Sequence, residues 1–119
     1  MLNLDTHVLI YALRGDLDQR ERALLSANAW GVAAIVLWEL AKLVQLGRLD
    51  MDLDDPEIDA VLAGLHVWPL DLAVAKASTA LDFRGDPADE LIAATSVVHG
   101  VPLLTRDRRI LGSRLVPLA

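Results

Sequence analysis

The chain has 119 residues, a net charge of −6 and a sequence pI of about 4.8, with 54% hydrophobic residues and 4% aromatic ones. That size and composition exclude a disordered chain and argue for one globular domain, residues 1–119, with an aliphatic core. The absence of cysteine excludes a disulfide framework and any thiolate metal site, and the acidic balance argues against an ordinary basic nucleic-acid binder while fitting a cation site or a basic partner.

In chain order, Met1–Leu4 reads as a first buried strand running straight to Asp5. His7–Leu13 reads as a helix stopped by Gly15. Asp18 caps a second helix, Gln19–Ala29, with Glu21 at its third position as in a capping box. Gly31–Ala34 is a second strand, followed by a helix over Ile35–Leu46 that ends at Gly47. The charge run Asp50–Glu57 reads as a solvated loop and the acidic first turn of a helix over Pro56–Leu65. His66–Leu70 is a third strand, and Leu72–Leu81 a helix capped by Asp71. Asp86 and Pro87 open the clearest helix start in the chain, running to His99 and stopping at Gly100. Val101–Thr105 is a fourth strand and Arg106–Leu111 a short helix. Arg114–Pro117 has the character of an edge strand, where proline is tolerated.

Short apolar strands alternating with helices predict an α/β fold with a parallel sheet covered on both faces. The N-terminus lacks the pattern of a signal peptide, and no uncharged run reads as a membrane span. The expectation is a soluble, cytoplasmic protein with no membrane partner.

Four acids stand out by placement. Asp5 follows the first strand directly, and Asp107 follows the fourth by two residues, so a parallel sheet brings both to one edge. Asp89 lies in the first turn of its helix, which can begin on that same edge. Glu39 sits in the apolar stretch Gly31–Lys42, where only Glu39 and Lys42 carry charge. A carboxylate in such a segment must be paired or ligating, because an unpaired buried charge is very costly. Each acid also has a local alternative. Asp5 and Asp107 can serve as helix starts, Asp89 can complete a capping box with Asp86, and Glu39 can pair with Lys42 or face solvent.

Electrostatics favours a shared role. Two carboxylates ~4 Å apart repel by about 4 kcal/mol at an effective dielectric near 20. Four cannot stay ionised together without a counter-charge. Lys42 and Arg106 are the only basic residues within these motifs. Oxygen-only ligation suits Mg²⁺ or Mn²⁺, and an ion held this way can activate water for in-line displacement at a phosphodiester.

Taken in order, four stretches resemble the motifs of PIN domains, and among them the VapC-like ribonuclease toxins of type II toxin–antitoxin systems. They are Leu4–Ile10, Leu37-Trp38-Glu39-Leu40-Ala41, Asp86–Ala94 and Leu103-Leu104-Thr105-Arg106-Asp107. The resemblance covers essentially the whole chain. It implies a three-layer α/β/α fold with a mainly parallel sheet of four or five strands, and a metal-dependent endoribonuclease. It assigns Asp5, Glu39, Asp89 and Asp107 as the residues that ligate Mg²⁺ or Mn²⁺, with Thr6 and Thr105 as supporting hydroxyls. It further implies a homodimer and a cognate antitoxin whose tail covers the acidic groove. Two positions depart from the pattern: Glu90 stands where many relatives carry Arg, and Val36 where a small hydroxyl residue is frequent.

Arg106, Arg108, Arg109 and Arg114 form the only basic cluster, and the first three are candidate contacts for RNA phosphates. His7 reads as a helix-surface residue, and His66 and His99 as ordinary strand and helix positions. Trp30, Trp38 and Trp68 read as core or dimer-interface residues. Other phosphoryl-transfer readings fit less well. A dehalogenase-type phosphatase needs a second acid two residues after its nucleophile, where His7 stands, and a receiver domain needs a lysine after its fifth strand. A silent binding module remains the third reading, motivated by Val36 and Glu90.

Overall fold

A computed structural model describes residues 1–119. Four short strands, β1 (Leu2–Leu4), β2 (Trp30–Ala33), β3 (His66–Trp68) and β4 (Leu103–Leu104), form one sheet in the order β3-β2-β1-β4. Every pairing is parallel. All three residues of β1 are buried, as expected of a central strand covered on both faces.

The connections explain the layers. β1 leads to β2 through α1 (Thr6–Arg14) and α2 (Gln19–Ala27), and β2 leads to β3 through α3 (Ala34–Gln45) and α4 (Pro56–Ala63). Both step the same way across the sheet. The link from β3 to β4, through α5 (Leu72–Ser78) and α6 (Pro87–His99), steps back. Right-handed crossovers put the helices of a returning link on the opposite face. Asn3 marks that face: its side chain donates to Ile92 O at 3.1 Å and Ser96 Oγ at 2.9 Å, tying β1 to α6. The result is the expected three-layer α/β/α arrangement, closed by a last short helix, α7 (Arg108–Leu111).

The core is a cluster of 17 buried residues, including Leu4, Val8, Leu9, Val32, Val36, Leu40, Ile92, Leu104 and Ile110. Burying each such side chain contributes roughly 1.5–3 kcal/mol. Val36 is wholly enclosed there. At the far edge of the sheet the Trp68 indole lies over Gly31, where a Cβ would fall 2.5 Å from the ring. His66 and His99 flank the same indole, with ring centroids at 4.8 Å and 5.8 Å. Trp30 is half-buried and donates to Leu25 O at 2.8 Å. Trp38, by contrast, is 57% exposed.

Several local readings are met. Asp18 and Glu21 form a reciprocal capping box at 2.8 and 2.9 Å. Asp71 caps α5 by accepting from Val74 N at 3.0 Å. Gly15 and Gly100 close α1 and α6 with φ of 77° and 64°, a left-handed conformation that glycine adopts at little cost. Others are corrected. The helix expected over Leu72–Leu81 ends at Ser78, where Ser78 and Thr79 hydroxyls bond back to Ala75 O and Lys76 O and compete with the backbone pattern. The edge strand expected over Arg114–Pro117 does not form. Asp82 accepts from Ser113 Oγ at 2.6 Å and Arg114 N at 2.7 Å, which turns the segment, and only Leu118 makes a single parallel bridge to Leu103. Asp86 stands at the N-cap of α6, but its side chain makes no capping bond. No helix is long and apolar enough to cross a membrane.

The strand order places the site. The chain leaves β1 toward β2 on one side and arrives at β4 on the other, so the carboxyl ends of β1 and β4 flank the point where the winding reverses. Open α/β sheets bind ligands in that crevice.

Candidate active site

Asp5 is the first residue after β1 and the N-cap of α1. It is 4% exposed, and both oxygens are engaged: Oδ1 accepts from Thr6 N at 2.8 Å and Oδ2 from Thr105 Oγ1 at 2.6 Å. The capping bond therefore coexists with a bond to the end of β4. Burial pushes the Asp5 carboxyl up, against the bonds from Thr105 and Thr6 that pull it down.

Glu39, on the second turn of α3, accepts from Thr6 Oγ1 at 2.5 Å. Burial raises its carboxyl as well, with Thr6 opposing. It has no bond to Lys42, whose ammonium donates to Gln45 Oε1 at 2.7 Å instead. The two threonines thus link three motifs. Thr6 donates through its amide to Asp5 and through its hydroxyl to Glu39, while Thr105 reaches from the end of β4 to Asp5.

Asp107 caps α7, accepting from Arg109 N at 2.8 Å and Ile110 N at 3.2 Å through Oδ1. Its own amide donates to Thr105 Oγ1 at 3.0 Å. That bond fixes the Thr105 hydroxyl as acceptor on one side and donor to Asp5 on the other.

Asp89 has no side-chain partner of this kind. Burial, and then the charges of Asp5, Asp107, Glu39 and Asp86, push its carboxyl up to about 6.

These four acids line one cavity of about 370 Å³ together with His7, Tyr11, Asp86 and Arg106. Residue order alone does not single out Asp86, His7 or Tyr11 as site residues. The signal for Asp86 was present, a second acid three residues before Asp89, but a helix-opening Asp-Pro reads first as a cap. His7 is exposed as expected, on the α1 surface that faces the cavity. Neither departure from the motif pattern is in the lining. Val36 belongs to the core, and Glu90 lines a separate hollow with Ser78, Thr79 and Arg84.

Arg106 is the one guanidinium in the lining, yet its charge is directed outward. Its Nε and Nη2 donate to Glu21 at 2.8 and 2.6 Å, Nη2 also reaches Asp16 O at 3.2 Å, and the group lies 4.0 Å over the Tyr11 ring. Arg108, Arg109 and Arg114 are exposed and outside the cavity lining.

Residues 3–112 match the family model described as the PIN domain. The chain belongs to the PIN-domain family. This PIN domain is 37% identical over 97 residues to Ribonuclease VapC22 of Mycobacterium tuberculosis (strain ATCC 25618 / H37Rv), a match covering 78% of this chain and 74% of the relative. Its fold superposes on a toxin–antitoxin complex from Klebsiella pneumoniae with a TM-score of 0.72, at 19% identity, over 94% of this chain and 92% of that one. It also superposes on FitAcB from Neisseria gonorrhoeae with a TM-score of 0.70, at 25% identity, over 99% and 96% of the two chains.

The donor set of this PIN domain is oxygen-rich and short of balancing charge. Its acids raise one another, and the one guanidinium beside them is paired with Glu21. That chemistry fits a hard divalent cation. In the conformation described, no three of the side chains close around a single point as a finished ion site.

Proposed function

We propose that this protein is a metal-dependent endoribonuclease, the toxin of a toxin–antitoxin pair, which hydrolyses RNA phosphodiester bonds. The observation that carries the reading is the convergence of Asp5, Glu39, Asp89 and Asp107, from four separate motifs, on one cavity at the switch point of the sheet. The names of the relatives, a ribonuclease and toxin–antitoxin complexes, support the same activity and partner.

Asp5, Glu39, Asp89 and Asp107 would hold Mg²⁺ or Mn²⁺, with Asp86 adding negative charge to the rim. When bound, the ion supplies an activated water and charge stabilisation at the phosphodiester. The chain's own work is orientation. The Thr6 hydroxyl aims Glu39, the Thr105 hydroxyl aims Asp5, and the cap bonds of Asp107 occupy Oδ1. Hydrogen bonds from outer residues that hold ligands in place are a general device of metal sites. Both oxygens of Asp5 are already hydrogen-bonded, which suits a fixed ligand better than an attacking nucleophile. Exposed Arg108 and Arg109, beside the cavity on α7, contribute positive charge for RNA phosphates. The protein acts in the cytoplasm as a homodimer, and the antitoxin presents a basic segment to the acidic groove.

The test is RNA cleavage by the purified chain. Cleavage requires added Mg²⁺ or Mn²⁺, stops with a chelator, and falls by more than about a hundredfold in Asp5→Asn and in Asp89→Asn, since loss of a ligand exceeds the effect of losing an outer-residue bond. A metal-loaded, antitoxin-free protein that leaves every RNA tested intact would refute the reading.

A further inference from the structure

Asp107 and Thr105 sit between two of the shortest elements of the fold. β4 has two residues and α7 has four. A two-residue strand and one helical turn have little capacity to fix the segment between them. Yet Thr105–Arg106–Asp107 must hold one hydroxyl against Asp5 and one carboxylate in the cavity. Leu104 and Ile110 bury its two ends, which leaves Arg106 between them to be held from elsewhere.

Only two ionisable residues in the chain are buried, Asp5 and Glu21. Glu21, 3% exposed, belongs to α2 and lies outside the acidic cavity. Its carboxylate accepts three hydrogen bonds: Oε1 accepts from Asp18 N at 2.9 Å and Arg106 Nη2 at 2.6 Å, and Oε2 accepts from Arg106 Nε at 2.8 Å. The two-pronged contact sets the plane of the guanidinium as well as its position. Tyr11 supports the other face at 4.0 Å, a cation–π contact. The pair spans 85 residues of sequence and joins α2 to the middle residue of the Thr105–Asp107 turn.

We infer that Glu21 is a positioning residue of the active site: by gripping Arg106 against α2 and Tyr11, it holds the turn that aims Thr105 at Asp5 and Asp107 into the cavity. Thr105, Arg106 and Asp107 alternate in direction, inward to Asp5, outward to Glu21 and inward again. Fixing the middle side chain therefore fixes the two peptide planes that carry its neighbours. The grip has a second effect. Arg106 lines a cavity of acids, and an arginine released from Glu21 is drawn onto them, where it competes with the cation. Arg106 is thereby assigned to the scaffold rather than to the RNA. The consequence for cleavage rests on the ribonuclease reading; the anchoring of the turn does not.

Glu21→Gln isolates the contact, because glutamine still completes a capping box. Arg106→Lys keeps the charge and loses the fork. Amide hydrogen exchange on the metal-free, full-length variants is the direct readout. Both variants speed exchange at 105–109 by about tenfold or more, as expected on losing a charge-assisted pair, while α6 amides at 92–96 keep their protection as the internal reference. Calorimetric titration with Mn²⁺ then shows affinity weakened by about tenfold, with kcat for RNA lowered and KM unchanged. Unchanged exchange at 105–109 in both variants would overturn the anchor. A rise in KM with kcat preserved in Arg106→Lys would overturn the assignment of Arg106 to the scaffold. A wild-type chain that neither binds Mn²⁺ nor cleaves RNA would sink the nuclease reading alone, and exchange would still judge the anchor.

Discussion

Glu21 and Asp89 are both carboxylates set into the surface around the carboxyl end of the sheet, and they behave in opposite ways. The Arg106 guanidinium beside Glu21 holds its carboxyl below the usual range. Burial, and then the charges of the neighbouring acids, push Asp89 up to about 6. Burial opposes ionisation at both; Arg106, with the Asp18 amide, outweighs it at Glu21, while the neighbouring acids add to it at Asp89. The fold places that cation on the boundary, in the cavity lining, and turns it toward Glu21. One region is thus electrically complete before any ligand arrives. The other carries unbalanced repulsion whose relief is available only from outside the chain. Stability is invested in the scaffold, and binding energy is left in the cavity.

The comparison can be broken first at the link between the regions. Thr105→Val keeps the shape of the side chain and deletes the hydroxyl shared by Asp5 and the Asp107 amide. Losing an orienting bond of this kind costs roughly 10–100-fold in metal affinity or activity, to be read by Mn²⁺ calorimetry and RNA cleavage. Retention of wild-type affinity would show that Asp5 needs no such orientation.

A second change tests whether loss of stability alone mimics loss of the site. Gly31→Ala forces a methyl against the Trp68 indole at the opposite edge of the sheet. Overpacking of this kind costs about 1–3 kcal/mol, measurable by urea unfolding. Mn²⁺ affinity in the folded protein stays at the wild-type level, because no cavity residue moves. A matching fall in affinity would mean that the two regions are not separable.

The smallest effect is in pH. Asp5, Glu39 and Asp89 all have folded-state carboxyls raised above their ordinary values. The native state therefore binds more protons than the unfolded chain between pH 4 and 6, and stability falls as pH rises through that window. Glu21 is lowered and acts in the opposite sense, but only below its ordinary value of 4.5. The metal-free protein is accordingly more stable at pH 5 than at pH 7, by about 1–2 kcal/mol after solvent screening. Thermal unfolding checks this, and Asp89→Asn reduces the difference while raising stability at pH 7. Saturating Mg²⁺ removes it. A melting temperature that falls on going from pH 7 to pH 5 would contradict the repulsion among these acids.

Much of the candidate site is legible in residue order. Asp5 and Asp107 are placed by the short apolar runs before them, and Asp89 by a helix start with its own Asp-Pro signal. Glu39 drew notice because a charge inside Gly31–Lys42 needs a reason. Strand ends, caps and glycine stops are local, set by backbone conformation within a few residues, so the sequence alone determines the acids, the parallel α/β architecture and most helix limits. The rest depended on which distant segments meet. Thr105 reaches Asp5 across 100 residues and Arg106 reaches Glu21 across 85. The first contact exists because β4 lies beside β1 in the sheet. No local pattern encodes that neighbour. The sheet order likewise turned Asp86 from a helix cap into a fifth acid of the cavity, and drew the arginine next to Asp107 away from it. Sequence alone determined which groups are candidates for the chemistry. Tertiary structure decided which of them are paired, because pairing is set by a charge's nearest neighbours in space.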